Sequence, residues 1–320
     1  MSTLTPQPAA PGGAPGPELE ALRLRLEESG YFRVLRRLLR RDAYVDPRSA
    51  PVGARLFTAL YVDTETTGLE PGADKVIELG MLAFDYDLAG NVYGVRDAFE
   101  GLEDPGRPLP QEVVDITGIT DADVRGRRFD DAAVAGALAA ADLVIAHNAA
   151  FDRPFLERRF PAFAAKPWAC SQRDVPWRDL GYPSSSLEYL AFRRGFFFDG
   201  HRAIVDCRAG LELLAVPLPD GGPPPLLELR RSALKRTVRL WAEGAPIAKK
   251  DLLKARGYRF NGASRVWWRE LPVEDHDAEL AWLAAEVYGR ATTLPYRELG
   301  AAERYSVRVP ESLPADAARR

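Results

Sequence analysis

The sequence predicts an α/β protein in which a mixed sheet flanked by helices is followed by a small α+β domain. Strand-like runs over 56–62, 75–84 and 91–99 follow one another closely, as in an antiparallel meander. Beyond residue 110, helical segments alternate with short apolar strand candidates, which favours a mixed sheet with helices on its faces. A stretch with five Pro and two Gly over 217–225 then separates a smaller unit.

The amino-acid composition limits the classes of protein to which this chain can belong. The chain has 320 residues, 46% hydrophobic and 28% charged, which suits two folded units and excludes a wholly disordered chain. No apolar run approaches a bilayer span, and the N-terminus lacks a signal-peptide pattern. Cys170 and Cys207 alone cannot form a disulfide framework or a thiolate zinc site. We therefore expect a cytoplasmic protein with no membrane partner.

Six segments are expected along the chain. They are a Pro-rich disordered tail over 1–17, a basic helical arm over 18–51, a first domain over 52–216, the linker over 217–225, a second domain over 226–295 and a tail over 296–320. The basic face of the arm suits either contact with nucleic acid or plain solvation of a docked helix, and the second reading is the commoner one.

Within the first domain, each element follows from local pattern. Apolar residues at helical spacing predict helices after Pro110, over 131–141, after the short strand 143–146, and over 186–193 and 203–215, with a further strand over 168–173. In the second domain we expect a strand over 235–241, a helix over 247–256, a hairpin around Asn261-Gly262 and an amphipathic helix over 277–288.

Acidic residues stand at the ends of these elements. Asp63 and Glu65 end the first apolar strand, and a strand places residues i and i+2 on one face. Asp152 and Asp206 lie early in two helices. Like charges this close repel unless a cation neutralises them or one is protonated, so four carboxylates on one rim indicate a site for a hard divalent cation.

His201 lies five residues before Asp206, and a histidine that titrates near neutrality suits deprotonation of water. Taken singly, each of these residues has a plainer interpretation. An Asp after a strand is usually a turn or N-cap residue, Phe151 alone suits a core position, and His147 alone suits a hydrogen-bonded strand end. The ordered combination favours a catalytic site.

Three segments carry a resemblance: Asp63-Thr-Glu-Thr-Thr-Gly68, His147-Asn-Ala-Ala-Phe-Asp152 and His201-Arg-Ala-Ile-Val-Asp206. They resemble the DEDDh 3′–5′ exonucleases, which include the proofreading epsilon subunit of bacterial DNA polymerase III, over about residues 57–216. Asp115-Ile-Thr-Gly-Ile-Thr120 is similar to the helix and turn between that family's motifs. The resemblance implies a ribonuclease-H-like fold and metal-dependent release of nucleoside monophosphates from DNA 3′ ends in proofreading or repair.

The same resemblance implies roles for individual residues. Two Mg²⁺ or Mn²⁺ ions would be held by Asp63, Glu65, Asp152 and Asp206, with His201 as the general base. The terminal nucleotides would be contacted by Thr66, Gly68, Leu69, Asn148 and Phe151. A DNA polymerase or another replisome component is a further expected partner. Two alternatives stay open: an RNA 3′-end-trimming exoribonuclease, and a non-catalytic scaffold that binds DNA or a replisome partner.

The net charge of −3 hides an uneven distribution. Residues 228–270 hold twelve basic and four acidic side chains, interleaved with aromatic residues, as is typical of single-strand or duplex-end binding. The alternative is that the aromatics form the core of a very small domain. Because strand neighbours face opposite ways, we expect Trp267 or Trp268 on an outer or inter-domain face. The run 249–268 resembles the C-terminal module of exonuclease-X-like proteins.

The accessory nucleic-acid-binding residues predicted from this segment are Lys249, Lys250, Lys254, Arg256, Arg259, Trp267 and Trp268.

Overall fold

The computed structural model describes residues 15–46, 48, 55–308, 310–313 and 318–319. Most of the disordered tail predicted over 1–17, and parts of the arm over 18–51 and of the tail over 296–320, lie outside these residues. Within the described part of the chain, no helix has both the length and the apolar character that crossing a bilayer requires.

The first sheet is mixed and has the strand order β4-β3-β2-β5-β6. Its strands are β2 (Phe57–Thr66), β3 (Val76–Tyr86), β4 (Val92–Leu102), β5 (Leu143–Ala146) and β6 (Trp168–Cys170). Strands β2, β3 and β4 pair antiparallel, whereas β5 and β6 extend the sheet in parallel from β2. This topology confirms the predicted α/β class with a ribonuclease-H-like mixed sheet.

Helices cover both faces of this sheet. They are α2 (Gln111–Thr117), α3 (Asp121–Val124), α4 (Asp131–Ala140), α5 (Ala149–Arg159), α6 (Leu187–Arg194), α7 (Ala203–Ala215) and α8 (Pro225–Leu234). Along β2, Ala59 and Tyr61 point into one apolar cluster together with α6, α7 and α8. Leu60 and Val62 point into a second cluster with α4 and α5. Strand alternation thus places β2 between two cores.

The N-terminal arm is only partly helical. Helix α1 spans Pro17–Glu28, but Arg36–Arg37 form a short strand, β1, that pairs in parallel with β7 (Phe196–Phe197). The helical spacing of Leu35, Leu38 and Leu39 is therefore misleading. Backbone N–H groups in this segment donate to carbonyl groups beside and within β7, and Leu38 packs against the first apolar cluster, so tertiary pairing replaces a local helix.

Helix α8 has no counterpart among the predicted elements. Its Leu226, Leu229 and Ala233 are fully buried in the cluster on the α7 side of the first sheet. Pro225 occupies the first helical position, where a proline costs no hydrogen bond. The helix therefore packs with the first sheet, although its residues follow the Pro/Gly-rich stretch. The division into domains at 226 stays a prediction.

A second, antiparallel sheet has the order β12-β11-β8-β10-β9. Its strands are β8 (Thr237–Ala242), β9 (Arg259–Asn261), β10 (Val266–Pro272), β11 (Pro295–Leu299) and β12 (Ala318–Arg319). Helices α9 (Lys250–Ala255) and α10 (His276–Trp282) accompany it. The chain after β11 returns to the first sheet, where the Ala301 carbonyl accepts a hydrogen bond of 2.9 Å from the Trp168 backbone N–H.

Two glycines in helices allow a paired test of packing. A Cβ at Gly210 in α7 would lie 2.0 Å from the Tyr61 hydroxyl oxygen, whereas a Cβ at Gly136 in α4 meets no atom within 4 Å. We expect Gly210→Ala to lower the free energy of unfolding by about 1–3 kcal/mol through overpacking. Gly136→Ala should raise it by about 0.5–1 kcal/mol because alanine restricts the unfolded chain. Urea denaturation measures both changes; shifts of the same sign would contradict this account of the α7 contact.

Candidate active site

The site begins at the carboxyl end of β2, the central strand of the first sheet. Asp63 and Glu65 share one face of the strand because they are two residues apart. Thr64 between them binds the carboxylate of Asp152, whose Oδ1 accepts hydrogen bonds from the Thr64 backbone N–H at 3.1 Å and from its hydroxyl at 2.9 Å. The end of β2 therefore joins carboxylates from both sides of the sheet.

Helices α5 and α7 supply the other two acidic residues. Asp152 lies in the first turn of α5, and Asp206 lies in the first turn of α7. Oxygens of Asp63, Glu65 and Asp206 come within 4.8 Å of one another. Three of the four predicted ligands thus form one cluster among the described residues, and Asp152 lies beside it, held by Thr64.

The electrostatics of this cluster are unfavourable for a set of bare carboxylates. Burial, and then the charge of Asp152, raises the pKa of Asp63 well above its usual range. Burial, reinforced by the charge of Asp206, raises the pKa of Glu65 to about 8. Burial also raises the pKa of Asp152 to about 7 and that of Asp206 to about 6. Such groups need either protons or a cation to lie together.

The donor set fits a hard divalent cation. All the converging atoms are carboxylate oxygens, and no thiolate lies among them, since Cys207 is fully buried beneath β2 and β3. Oxygen donors of this kind suit Mg²⁺ or Mn²⁺ better than softer metals. The arrangement can therefore bind a cation that offsets the repulsion between these acidic groups.

Sequence reasoning did not identify Glu78, which is directly opposite Glu65 on β3 and is fully buried. Its carboxylate accepts hydrogen bonds of 2.9 Å from the Ala203 backbone N–H and from Nε of Arg202. Glu78 thereby ties β3 to the start of α7, which carries Asp206. A single charge inside the apolar run 76–84 is the sequence signal that could have revealed it.

His201 lies on the loop before α7 and is exposed. Its backbone is left-handed, with φ of 64°, a conformation that costs energy for a residue with a side chain. The proximity of His201 opposes the rise in the pKa of Asp206 that burial causes. The structure therefore brings His201 to the edge of the carboxylate cluster.

The predicted substrate-contacting residues surround the same end of the sheet. Thr66 donates a hydrogen bond of 2.6 Å to the Gly68 carbonyl, and Leu69 is 78% exposed on the turn that follows. Asn148 precedes α5 in a left-handed conformation, and the half-buried Phe151 packs on Phe155 with ring centroids 5.1 Å apart. Their roles stay predictions.

His147 has the structural role that its position suggested. Its Nε2 lies 2.9 Å from the Ser185 carbonyl, which can only accept a hydrogen bond, so Nε2 carries the proton. Burial lowers the pKa of His147 to about 4, so the ring is neutral. Its Nδ1 then accepts a hydrogen bond from the Ser171 hydroxyl. The Tyr61 hydroxyl in turn donates a hydrogen bond to Ser171. These hydrogen bonds connect β2 to the residues that follow β5 and β6.

The accessory residues of the second sheet differ in exposure. The four cations Lys250, Lys254, Arg256 and Arg259 are exposed, and Lys249 is half-buried. Trp267 and Trp268 are only 7% and 4% exposed, so neither ring lies on an outer face, and their role in binding nucleic acid stays a prediction. They do face opposite ways: Trp267 fills the core beside α9 and α10, and Trp268 packs against Trp241. A sheet this small needs large side chains on both faces.

The part of the chain that carries the acidic residues is similar in sequence to known proteins. An exonuclease family model matches residues 60–214. The DNA polymerase III subunit epsilon of Treponema pallidum is 32% identical over 168 residues, which cover 49% of this chain and 74% of that protein. A PolC-type DNA polymerase III of Listeria welshimeri is 33% identical over 117 residues, or 34% of this chain, but the match spans only 7% of the polymerase.

Solved structures give weaker likenesses. Exonuclease X in complex with 5′ overhanging duplex DNA has a TM-score of 0.36 at 25% identity, covering 48% of this chain and 88% of that one. E. coli exonuclease I in complex with a dA16 oligonucleotide has a TM-score of 0.41 at 21% identity, covering 57% and 48%. With the family match, and with an epsilon subunit 32% identical over three quarters of its length, this chain belongs to the exonuclease family.

Proposed function

We propose that this protein is a metal-dependent 3′–5′ exonuclease that hydrolyses terminal phosphodiesters of DNA and releases nucleoside monophosphates. The observation that carries the proposal is the convergence of Asp63, Glu65 and Asp206 at the end of the central strand of an exonuclease-family chain. A scaffold that only binds DNA has no need for buried acidic groups whose repulsion opposes folding.

DNA is the proposed substrate because the related epsilon subunit is named as part of a DNA polymerase. By the same likeness, we propose a role in proofreading or repair, in the cytoplasm, with a DNA polymerase or another replisome component as a partner. The carboxylates do not distinguish the sugars, because a 2′-hydroxyl is recognised by local shape. The RNA-trimming alternative is therefore an outcome of the activity test below.

Two divalent cations are proposed as cofactors, held by Asp63, Glu65, Asp206 and Asp152. Such cations would supply Lewis acidity at the scissile phosphate and at the leaving oxygen. Thr64 orients Asp152 through two hydrogen bonds to one carboxylate oxygen. The second Asp152 oxygen is not used by these two bonds and can serve as a ligand.

His201 is the proposed general base. It accepts the proton of the attacking water at a ring nitrogen, for which its exposed position before α7 leaves room. Glu78 accepts hydrogen bonds from Arg202 and Ala203 and so holds the start of α7 against β3. These contacts keep His201 at a constant distance from Asp206. Thr66, Gly68, Leu69, Asn148 and Phe151 are proposed to contact the terminal nucleotides.

The first test removes one proposed metal ligand and the proposed general base in separate variants. We expect Asp63→Asn to abolish Mg²⁺-dependent release of mononucleotides, and His201→Ala to slow it by about 10²–10⁴-fold because the general base is lost. Labelled single-stranded DNA and RNA, each with and without Mg²⁺, are compared on gels. The matched control is Asp179→Asn, which changes an exposed aspartate elsewhere.

Near wild-type hydrolysis by either His201→Ala or Asp63→Asn would overturn the assignment. Cleavage of RNA in preference to DNA would establish the RNA-trimming alternative, and DNA binding without any cleavage would establish the scaffold.

The second test uses stability in a chelator. Because the pKa of Glu65 is raised in the folded protein to about 8, folding binds a proton, and stability is lost as pH rises from about 4.3 through 8. Glu65→Gln removes this penalty. At pH 8 we expect the Tm of Glu65→Gln to exceed that of the wild type by about 2–4 °C for each kcal/mol of repulsion relieved. At pH 4.5 we expect no such excess.

Added Mg²⁺ should raise the Tm of the wild type at pH 8 and reduce its deficit relative to Glu65→Gln. The control Glu112→Gln, at an exposed position on α2, should show no such pH-dependent difference. A Tm difference that stays constant from pH 4.5 to 8 would refute the repulsion as its cause.

A further inference from the structure

A basic cleft of about 300 Å³ lies between the two sheets. Residues of the first domain form one wall, the second sheet forms another, and the segment after β11 closes it. Its lining includes Ala150, Arg173, Arg239, Arg259, Trp268 and Arg269. The cleft needs both parts of the chain, because Ala150 and Arg173 of the first domain form one wall and residues from Arg239 onward in the second sheet form another.

Arginines dominate the charge of the cleft. Four arginines line it against two glutamates, Glu270 and Glu311. Arg239 is ion-paired with Glu270 and Arg269 with Glu279, so among the described residues the unpaired charges of the lining are those of Arg173, Arg259 and Glu311. Among the residues that the structure describes, Arg173 and Arg259 form no ion pair with a carboxylate. The cleft therefore carries excess positive charge and free guanidinium donors, which suit an anion rather than an apolar ligand.

Trp268 adds a further donor. The ring lies beneath two guanidinium groups, with Cζ of Arg239 4.6 Å and Cζ of Arg259 5.1 Å from the ring centroids. Trp268 is 4% exposed, and within the described part of the chain its indole N–H has no hydrogen-bond partner. A buried unpaired donor costs free energy that an acceptor oxygen would recover.

The cleft adjoins the candidate active site through α5. Ala150 lines the cleft and Asp152 faces the carboxylate cluster, although both lie in the first turn of this helix. Arg173 donates a hydrogen bond of 3.4 Å to Asn148 at the start of the same helix. Since an α-helix rises about 1.5 Å per residue, the two sites lie at the same level along α5.

We propose that this cleft binds the phosphodiester backbone of the nucleic-acid strand whose 3′ end occupies the active site. The inference rests on the proposed function and deepens it, because it makes the second sheet part of the substrate site. Phosphate oxygens accept hydrogen bonds from guanidinium groups and from an indole N–H, and the backbone needs no base recognition. Arg173 and Arg259 are the principal donors, and Trp268 supports them.

The test measures binding apart from catalysis. In an Asp63→Asn background, fluorescence anisotropy with a labelled single-stranded DNA oligonucleotide gives Kd over a series of salt concentrations. We expect Arg173→Ala and Arg259→Ala each to weaken binding about 5–20-fold and to reduce the salt slope by about 0.7, the value for one phosphate contact on a single strand. Arg259→Lys, which keeps the charge, should retain most of the affinity.

The matched control is Arg290→Ala, an exposed arginine beyond α10 that does not line the cleft. A second pair compares Trp268→Phe, which removes the unpaired indole N–H of a residue that lines the cleft, with Trp267→Phe on the opposite face of β10. Only Trp268→Phe should weaken binding, by about 3-fold or more at equal loss of Tm, as expected for the loss of one hydrogen bond.

In the catalytically intact chain, the arginine variants should raise KM for the oligonucleotide while kcat changes little. Wild-type Kd, KM and salt slope in both arginine variants would overturn the cleft proposal while leaving the exonuclease intact. Hydrolysis of neither the oligonucleotide nor the p-nitrophenyl ester of thymidine 5′-monophosphate by the wild type would instead overturn the proposed function. Equal weakening in Arg290→Ala would show that only overall charge matters, which also overturns the proposal.

Discussion

The mutual repulsion of buried carboxylates at the end of β2 is the constraint around which this molecule is organised. Asp63, Glu65 and Asp206 present oxygens within 4.8 Å of one another, and burial with like charge raises their pKa values. Isolated, such a cluster would relax by moving apart. The surrounding structure prevents this, so the free energy of repulsion remains available to be relieved by a cation.

Helix α7 is held in place by contacts that leave it little freedom. A Cβ at Gly80 on β3 would lie 2.5 Å from the backbone of Ala203, so the helix starts directly against the strand. Glu78 accepts hydrogen bonds from Ala203 and Arg202 at this point, and Gly210 lies against Tyr61 farther along. Close backbone approach therefore fixes Asp206 opposite Asp63, with α7 serving as a rigid support.

Buried arginines attach the second sheet to the first domain. Arg153 is fully buried in α5 and donates to the Ala302 carbonyl at 2.6 Å, while Arg304 is ion-paired with Asp174. Arg304 also donates to the Ser232 carbonyl in α8 at 2.9 Å. Buried polar groups whose hydrogen bonds are all satisfied specify one arrangement of the two parts, because any other arrangement would leave a buried charge unpaired. The basic cleft between the sheets depends on that arrangement.

Local pattern alone was sufficient to predict the strands of the first sheet and the two acidic residues at the end of β2. The apolar run before Asp63 and the spacing of Asp63 and Glu65 follow from strand alternation, which needs no tertiary information. Periodicity likewise predicted α4, α5 and α7 near their observed positions. These segments were predictable because each has a strong local preference that agrees with the final fold.

Other features depended on partners distant in sequence. Leu38 has helical spacing but packs as part of an extended segment, because pairing with β7 supplies its backbone hydrogen bonds. Trp268 belongs to a basic aromatic run, yet whether its ring is buried depends on residues that fold over it from beyond β11. The amino-acid sequence was enough to predict which side chains are ionisable and about where the strands of the first sheet end. The support of α7 by Glu78 and the presence of Arg173 and Arg259 in one cleft could not be predicted, because burial and pairing are set by contacts between segments distant in sequence.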